Sequence, residues 1–346
     1  MRKLLFILLP VIAMQARGQN PGAQQPYLTQ NFGKEAVRNI RVETTGGNIS
    51  VQGVDEGTRI EVYVWAGNKK SSEYSKEAIK KRIDEDYDLN ISVVNNQLIA
   101  TAKPKKKNGN WNSTLSISFK VFTSRNVSSK LVTSGGNISL SDLEEGMQDF
   151  TTSGGNLEIN HVGGTIDGVT SGGNISVTDT KAKVELTTSG GNINATNCEG
   201  EQKLSTSGGS LHLSRLKGKI KAVTSGGDVQ GDQVSGELSA STSGGNIDLS
   251  NISGSLESAT SGGNIRVSMK TTDKYLTLSN SGGNIDLQLP AGKGYDLKLQ
   301  ADQIRTSTLT NFSGDVEDHS IKGKLNGGGI PVTVHANSGS INLTFL

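Results

Sequence analysis

Cysteine is all but absent: Cys198 stands alone in 346 residues, so no internal disulfide can form and stability must come from burial. Hydrophobic residues reach only 33% and aromatics 4%, lean for a globule but sufficient for a thin core. Histidine is scarce as well. His161, His212, His319 and His335 fall at unrelated places, and no H-x-x-x-H, C-x-x-C or His/carboxylate grouping has ligand spacing. A metal centre and a bound cofactor are therefore not expected. After the first residues no apolar run approaches the length of a membrane-spanning helix. The many glycine pairs are followed neither by Lys-Ser/Thr nor by a helix, which excludes a phosphate-binding loop. The one basic cluster, Lys103–Lys107, has only Trp111 for aromatic company, so no nucleic-acid partner is expected.

At the start, Arg2 and Lys3 precede an apolar stretch from Leu4 to Ala13 and a small-x-small site at Ala16-Arg17-Gly18. This is the layout of a secretory signal over residues 1–18, which predicts an exported chain: periplasmic, surface-held or secreted. Formal net charge is +2, but it is unevenly spread. Residues 19–130 hold 17 Lys/Arg against 11 Asp/Glu, whereas residues 131–346 hold 15 against 22.

What the chain has in abundance is one repeated phrase, T-S-G-G-N-I. The first glycines of its regular copies stand at Gly135, Gly154, Gly172, Gly190, Gly208, Gly226, Gly244, Gly262 and Gly282, with gaps of 19, then 18 six times, then 20. A fixed period of this length marks a solenoid. Taking Thr170 as position one, the sixth position is always aliphatic (Ile175, Ile193, Leu211) and the eighth usually is (Val177, Leu213, Leu249). Further apolar sites fall at the eleventh (Val162, Leu216, Val234) and fifteenth (Ile166, Val184, Ile220), and the thirteenth is commonly glycine. Each coil thus reads as two short strands between two glycine-bearing turns. The Gly-Gly pair suits a corner with positive φ and close backbone approach, and the fifth-position asparagines should form a side-chain amide ladder. Cys198 takes the eleventh position and should be a buried small hydrophobe. Three hexapeptides also make 18, but a left-handed triangular helix wants an aliphatic every six residues, which this pattern does not supply. The expectation is all-β: a parallel β-solenoid, right-handed, with about 18 residues per coil.

Regular coils span 131–290. Before them, 19–37 reads as a flexible leader and 38–130 as irregular first coils and a cap. These contain a helical insertion at about 72–86, where Tyr74, Ala78, Ile79 and Ile83 keep helical spacing. Residues 291–346 form C-terminal coils and a second cap, ending in a degenerate copy, Asn337-Ser338-Gly339-Ser340-Ile341-Asn342-Leu343. Caps are needed because open ends of a parallel stack invite aggregation.

Stacking places the outward seventh positions in one stripe. Its candidate interaction residues are Glu158, Asn194, His212, Gln230, Asp248, Arg266 and Asp286. Carboxylates there are not neighbours: Asp248 lies between Gln230 and Arg266. At the sixteenth position Asp167 and Glu185 are adjacent, followed by Lys203 and Lys221.

The T-S-G-G-N-[IL] coils, the secretory start, the Lys/Glu-rich insertion and the closing N-S-G-S-I-N-L resemble a bacterial β-strand-repeat family known as "putative adhesins". The likeness covers roughly residues 38–346. It implies an exported envelope or secreted β-solenoid with an adhesive role, and it brings no catalytic or binding residues with it. The reading is of a non-enzymatic scaffold making multivalent contacts with surface glycans or envelope proteins through flat polar faces. Its alternatives are a carbohydrate-active β-helix enzyme, and a structural or signalling partner in the periplasm.

Overall fold

The computed structural model describes residues 25–33, 36–66, 75–105 and 115–346. The expected secretory signal lies outside them, as do Lys106, Lys107 and Trp111.

The apolar alternation of the repeat becomes two stacks of parallel strands. In the first, short strands such as Ile175–Thr178, Ile193–Thr196 and Leu211–Ser214 lie in register, so that Ile175 pairs Ile193, Ile193 pairs Leu211 and Leu211 pairs Val229. Each partner is 18 residues further along the chain. The second stack carries the longer strands Lys181–Thr188, Glu199–Thr206, Lys217–Val223 and Ser235–Ser241 with the same offset. Strands continue round the corners, and the ladder forms one 28-stranded sheet. Inward side chains from the two stacks meet in a single core, including Ile175, Val177, Cys198, Val184 and Ile247, each 2% exposed or less.

A further core column, not anticipated, runs through the seventeenth position: Leu186, Leu204, Ala222 and Ala240 are all buried. Its sizes compensate between coils. Phe150 pairs Gly168, which pairs Leu186. A Cβ on Gly168 would lie 2.4 Å from the Phe150 ring and 2.7 Å from a Leu186 methyl, so the glycine makes room for both neighbours.

The T-S-G-G-N corner is held by side chains bonding to backbone. Thr188 Oγ1 donates to Gly173 O of the preceding coil (2.8 Å) and accepts from Gly191 N of its own (3.3 Å). The same pair of bonds recurs at Thr170, Thr206, Thr224, Thr242 and Thr260. The asparagine ladder differs from the expected amide-to-amide stack: each side-chain oxygen accepts from the backbone N–H of the next coil's fifth residue, as in Asn192 N to Asn174 Oδ1 at 2.8 Å. An oxygen acceptor is all the position requires, which explains Ser210 and Asp228 within the series.

The glycine pair itself departs from half of its expectation. Neither glycine has positive φ. The second is needed for close approach, since a Cβ on Gly173 would sit 1.9 Å from Gly155 O. Left-handed backbone falls instead at the opposite corner. There the tenth position (His161, Asp179, Asn197, Arg215, Gln233, Asn251) holds φ of 52–55°, and the thirteenth-position glycines Gly200, Gly218 and Gly254 hold 125–128°.

Chain order is broken at both ends. Strands Asn39–Glu43 and Ile49–Gly53 form the first coil in sequence but the second in space. They pair Gln97–Pro104 and Leu115–Thr123 on one side, and Ser128–Val132 and Ile138–Leu143 on the other. Antiparallel strands Arg59–Ala66 and Tyr87–Val94 then close the outer edges. The insertion is a helix, Lys76–Asp86, capped by Ser75 and burying Ile79 and Ile83; residues 72–74 lie outside the described set. The leader is not wholly flexible: Leu28–Asn31 forms a strand antiparallel to Arg59–Val62. A lone apolar residue, Leu28, gave too little alternation to signal it. At the far end the closing strand Ser340–Phe345 slots between Ile285–Leu289 and Gln303–Thr306.

Candidate interaction surface

Alternation along the short strands sends the seventh position outward while the sixth and eighth are buried. Register then aligns the outward residues. Glu158 pairs Ser176, Ser176 pairs Asn194, and the column continues through His212, Gln230, Asp248, Arg266 and Asp286. All seven candidate residues thus lie in one column, separated by about 4.8 Å per coil. Asp248 and Asp286 are half-buried; the other five are exposed.

The far end of the column is shaped. Arg266 reaches Asp248 at 2.8 Å and Asp286 at 3.9 Å, so a guanidinium stands between two carboxylates. Ninth-position residues run alongside, where Ser268 Oγ donates to Gln288 Oε1 at 3.1 Å. Together they line a depression of about 320 Å³ that extends over Asn342 and Thr344. Sequence reasoning missed these last two. Their signal was present in the degenerate closing copy, but its insertion beside Asp286 depends on a pairing the sequence does not announce. The alcohols, amides and one shared charge of this depression can exchange hydrogen bonds with a polyhydroxylic or amide-bearing ligand; no nucleophile is poised there by a base.

On the opposite face the column of sixteenth-position acids has one member more than expected. Asp149 pairs Asp167, which pairs Glu185; Asp149 escaped the period because its coil is one residue longer. Lysines close the run at both ends, Lys130 to Asp149 at 3.3 Å and Lys203 to Glu185 at 2.5 Å. The Lys203 hydrogen bond holds Glu185 below the usual carboxylate range. Partial burial, then the charges of Glu185 and Asp149, push Asp167 up. Among the described residues no group of three or more His, Cys, Asp or Glu is arranged to hold a metal ion. Of the basic loop, Lys103 pairs Glu43 at 2.9 Å and Lys105 caps the helix end at Asp84 O.

Fold and surface together define an all-β protein of stacked parallel coils with a solenoid-like architecture, and among the described residues no helix is long and apolar enough to cross a membrane. Residues 199–344, less than half of the chain, match the Toastrack family DUF4097. Comparison with curated proteins gives no match. Similar solved structures include a "putative cell adhesion protein" from Clostridium sporogenes, 11% identical over 93% of this chain and 100% of that one, with a TM-score of 0.22. A "putative adhesin" from Parabacteroides distasonis is 14% identical over 91% and 96%, with a TM-score of 0.37. A "putative lipid binding protein" from the same species is 15% identical over 92% and 96%, with a TM-score of 0.31.

Proposed function

We propose that this chain is an exported, non-enzymatic scaffold, a right-handed solenoid of 18-residue coils that adheres to glycans or envelope components through many weak contacts. The observation that carries this reading is the seventh-position column, in which Glu158, Asn194, His212, Gln230, Asp248, Arg266 and Asp286 stand in register one coil apart. Repetition at fixed spacing raises the effective concentration of each further contact once the first is made, so weak single contacts sum to useful avidity. The acids favour binding over turnover: Arg266 is shared by Asp248 and Asp286, and Lys203 and Lys130 are engaged by Glu185 and Asp149.

The test is a broad glycan array probed with the purified protein, with envelope extract as parallel bait. Saturable glycan binding weakened by Arg266→Ala supports the adhesive scaffold. Silence on every glycan combined with capture of one specific protein sinks the glycan reading in favour of a structural or signalling partner, and silence of both arms sinks the scaffold altogether.

A further inference from the structure

The depression on the seventh-position face is not the most voluminous on the rod. A longer groove runs along the corner between the two strand stacks, parallel to the rod axis. Its first part encloses about 560 Å³ and its second about 750 Å³, and the two share Gln233 and Ser235, so they are one channel. The left-handed tenth positions form one wall and the twelfth positions the other; the buried eleventh positions Cys198, Leu216 and Val234 lie at the floor. It begins at His161 and ends against Leu346.

Charge singles out this groove. The coils from 131 to 290 carry 10 Lys/Arg against 17 Asp/Glu. The groove lining reverses that balance, with Lys181, Arg215, Lys217 and Lys270 against Asp179 and Glu199. The two acids are engaged: Glu199 by Lys217 at 3.0 Å, and Asp179 by the Asn197 amide and by His161 at 3.6 Å. Among the described residues, Lys181 and Arg215 have no carboxylate within 4.0 Å.

We infer that this groove binds a linear, acidic polysaccharide lying along the rod, with Lys181 and Arg215 meeting its anionic groups and Asn251, Gln233 and Ser235 its hydroxyls. This goes beyond the proposed function by adding a second surface, and rests on its glycan reading. A peptide is disfavoured because the corner's backbone donors are already spent in the ladder, as Asn197 N on Ser214 O and Lys217 N on Cys198 O, which leaves no edge for strand addition. Single-stranded nucleic acid would want successive aromatic platforms, and the lining has no Phe, Tyr or Trp and a single imidazole at one end, His161. The coil rise of about 4.8 Å is close to the length of one pyranose in an extended chain, so successive coils can address successive sugars.

The experiment is calorimetric titration of the purified protein with three oligosaccharides of equal length: a polyuronate, a sulfated galactan fragment that carries no carboxylate, and a neutral malto-oligosaccharide. The comparison variant combines Lys181→Ser with Arg215→Gln, residues this chain itself uses at the equivalent Ser235 and Gln233, so folding should survive and circular dichroism checks it. The expected result is binding of an acidic oligomer, weakened at least about tenfold in the variant and by added salt, with Lys322→Ser, an exposed lysine outside both the groove and the seventh-position column, binding as the parent does; Arg266→Ala is measured beside it. The carboxylate and sulfate arms tell which acidic group is read. Undiminished binding by the groove variant, equal binding of the neutral oligomer, or loss of binding only in Arg266→Ala each overturns the inference and leaves the adhesive scaffold standing. A protein that binds none of the three overturns the inference, and silence on the whole array overturns the glycan reading with it.

Discussion

A threonine hydroxyl at position one serves two coils at once, taking up the second glycine's carbonyl below and its N–H within the same coil. Thr188→Val keeps the shape and removes the hydroxyl. It leaves Gly173 O and Gly191 N unpaired in a buried corner, and should cost about 1–3 kcal/mol in a urea unfolding curve. Thr188→Asn should recover much of this. Asn280 already replaces threonine in the last regular coil, donating Nδ2 to Gly263 O at 2.8 Å and accepting from Gly283 N at 3.1 Å. An equally sharp contrast separates the two glycines of one corner. Gly172 is exposed, and a Cβ there would meet nothing nearer than 3.7 Å, whereas on Gly173 it would meet Gly155 O at 1.9 Å. Gly172→Ala should therefore shift stability by no more than about 0.5 kcal/mol. Gly173→Ala should cost about 3 kcal/mol or more, since backbone on both sides must move. Equal melting temperatures for the two variants would show that the corner does not depend on close approach.

Columns, more than single strands, are the elements of this molecule, because a residue's nearest lateral neighbours stand one coil before and after it. The acidic column makes that measurable. Asp167 sits between Asp149 and Glu185, and burial with two like charges raises its folded pKa above the ordinary aspartate value. A carboxyl whose pKa rises on folding favours the folded state below its unfolded pKa, and that advantage is lost as pH climbs through the folded value. Asp167→Asn should thus raise the melting temperature at pH 7 and confer nothing at pH 3; a gain that is the same at both pH values would mean that charge is not the cause. How much of this was legible follows from the same columns. Sites six, eight, eleven and fifteen could be read because aliphatics recur there, and the candidate stripe could be read because its residues share a fixed period. The seventeenth was hidden by its own compensation, since Gly168 does not look like core until Phe150 and Leu186 are seen filling the space around it, nor Ala222 and Ser258 until Leu204 and Leu278 are seen beside them. The left-handed corner was hidden differently. Asp179 and Asn197 tolerate positive φ, but Arg215 and Gln233 give no such sign, and the conspicuous glycine pairs drew that conformation to the wrong corner.

Over the whole molecule, the rod is closed by threading its terminal coils out of order, and this changes what the chain end does. In a simple stack the last residues would fray from an outer coil at little cost. Here Ser340–Phe345 lies inside, pairing Ile285–Leu289 on one side and Gln303–Thr306 on the other, while Ile330–Ala336 is held between Leu276–Asn280 and Tyr295–Gln300. Ile341 and Leu343 are fully buried, and Asn284 Oδ1 accepts from Ser340 N at 2.9 Å, so the asparagine ladder passes directly from the regular coils into the end of the chain. Deleting residues 337–346 would therefore remove an interior layer, stranding Gln303–Thr306 without its partner and opening the edge of Ile285–Leu289 to other chains. The expected outcome is a lower melting temperature and proteolytic cleavage concentrated within residues 290–336, with the coils from 131 to 280 still protected because each contacts only its neighbours. Cleavage confined to a few residues at the new terminus would instead mean that the closing strand is an ordinary outer layer and that the cap holds without it. Collapse of the whole ladder would mean that the coils unfold as one cooperative unit nucleated from this end.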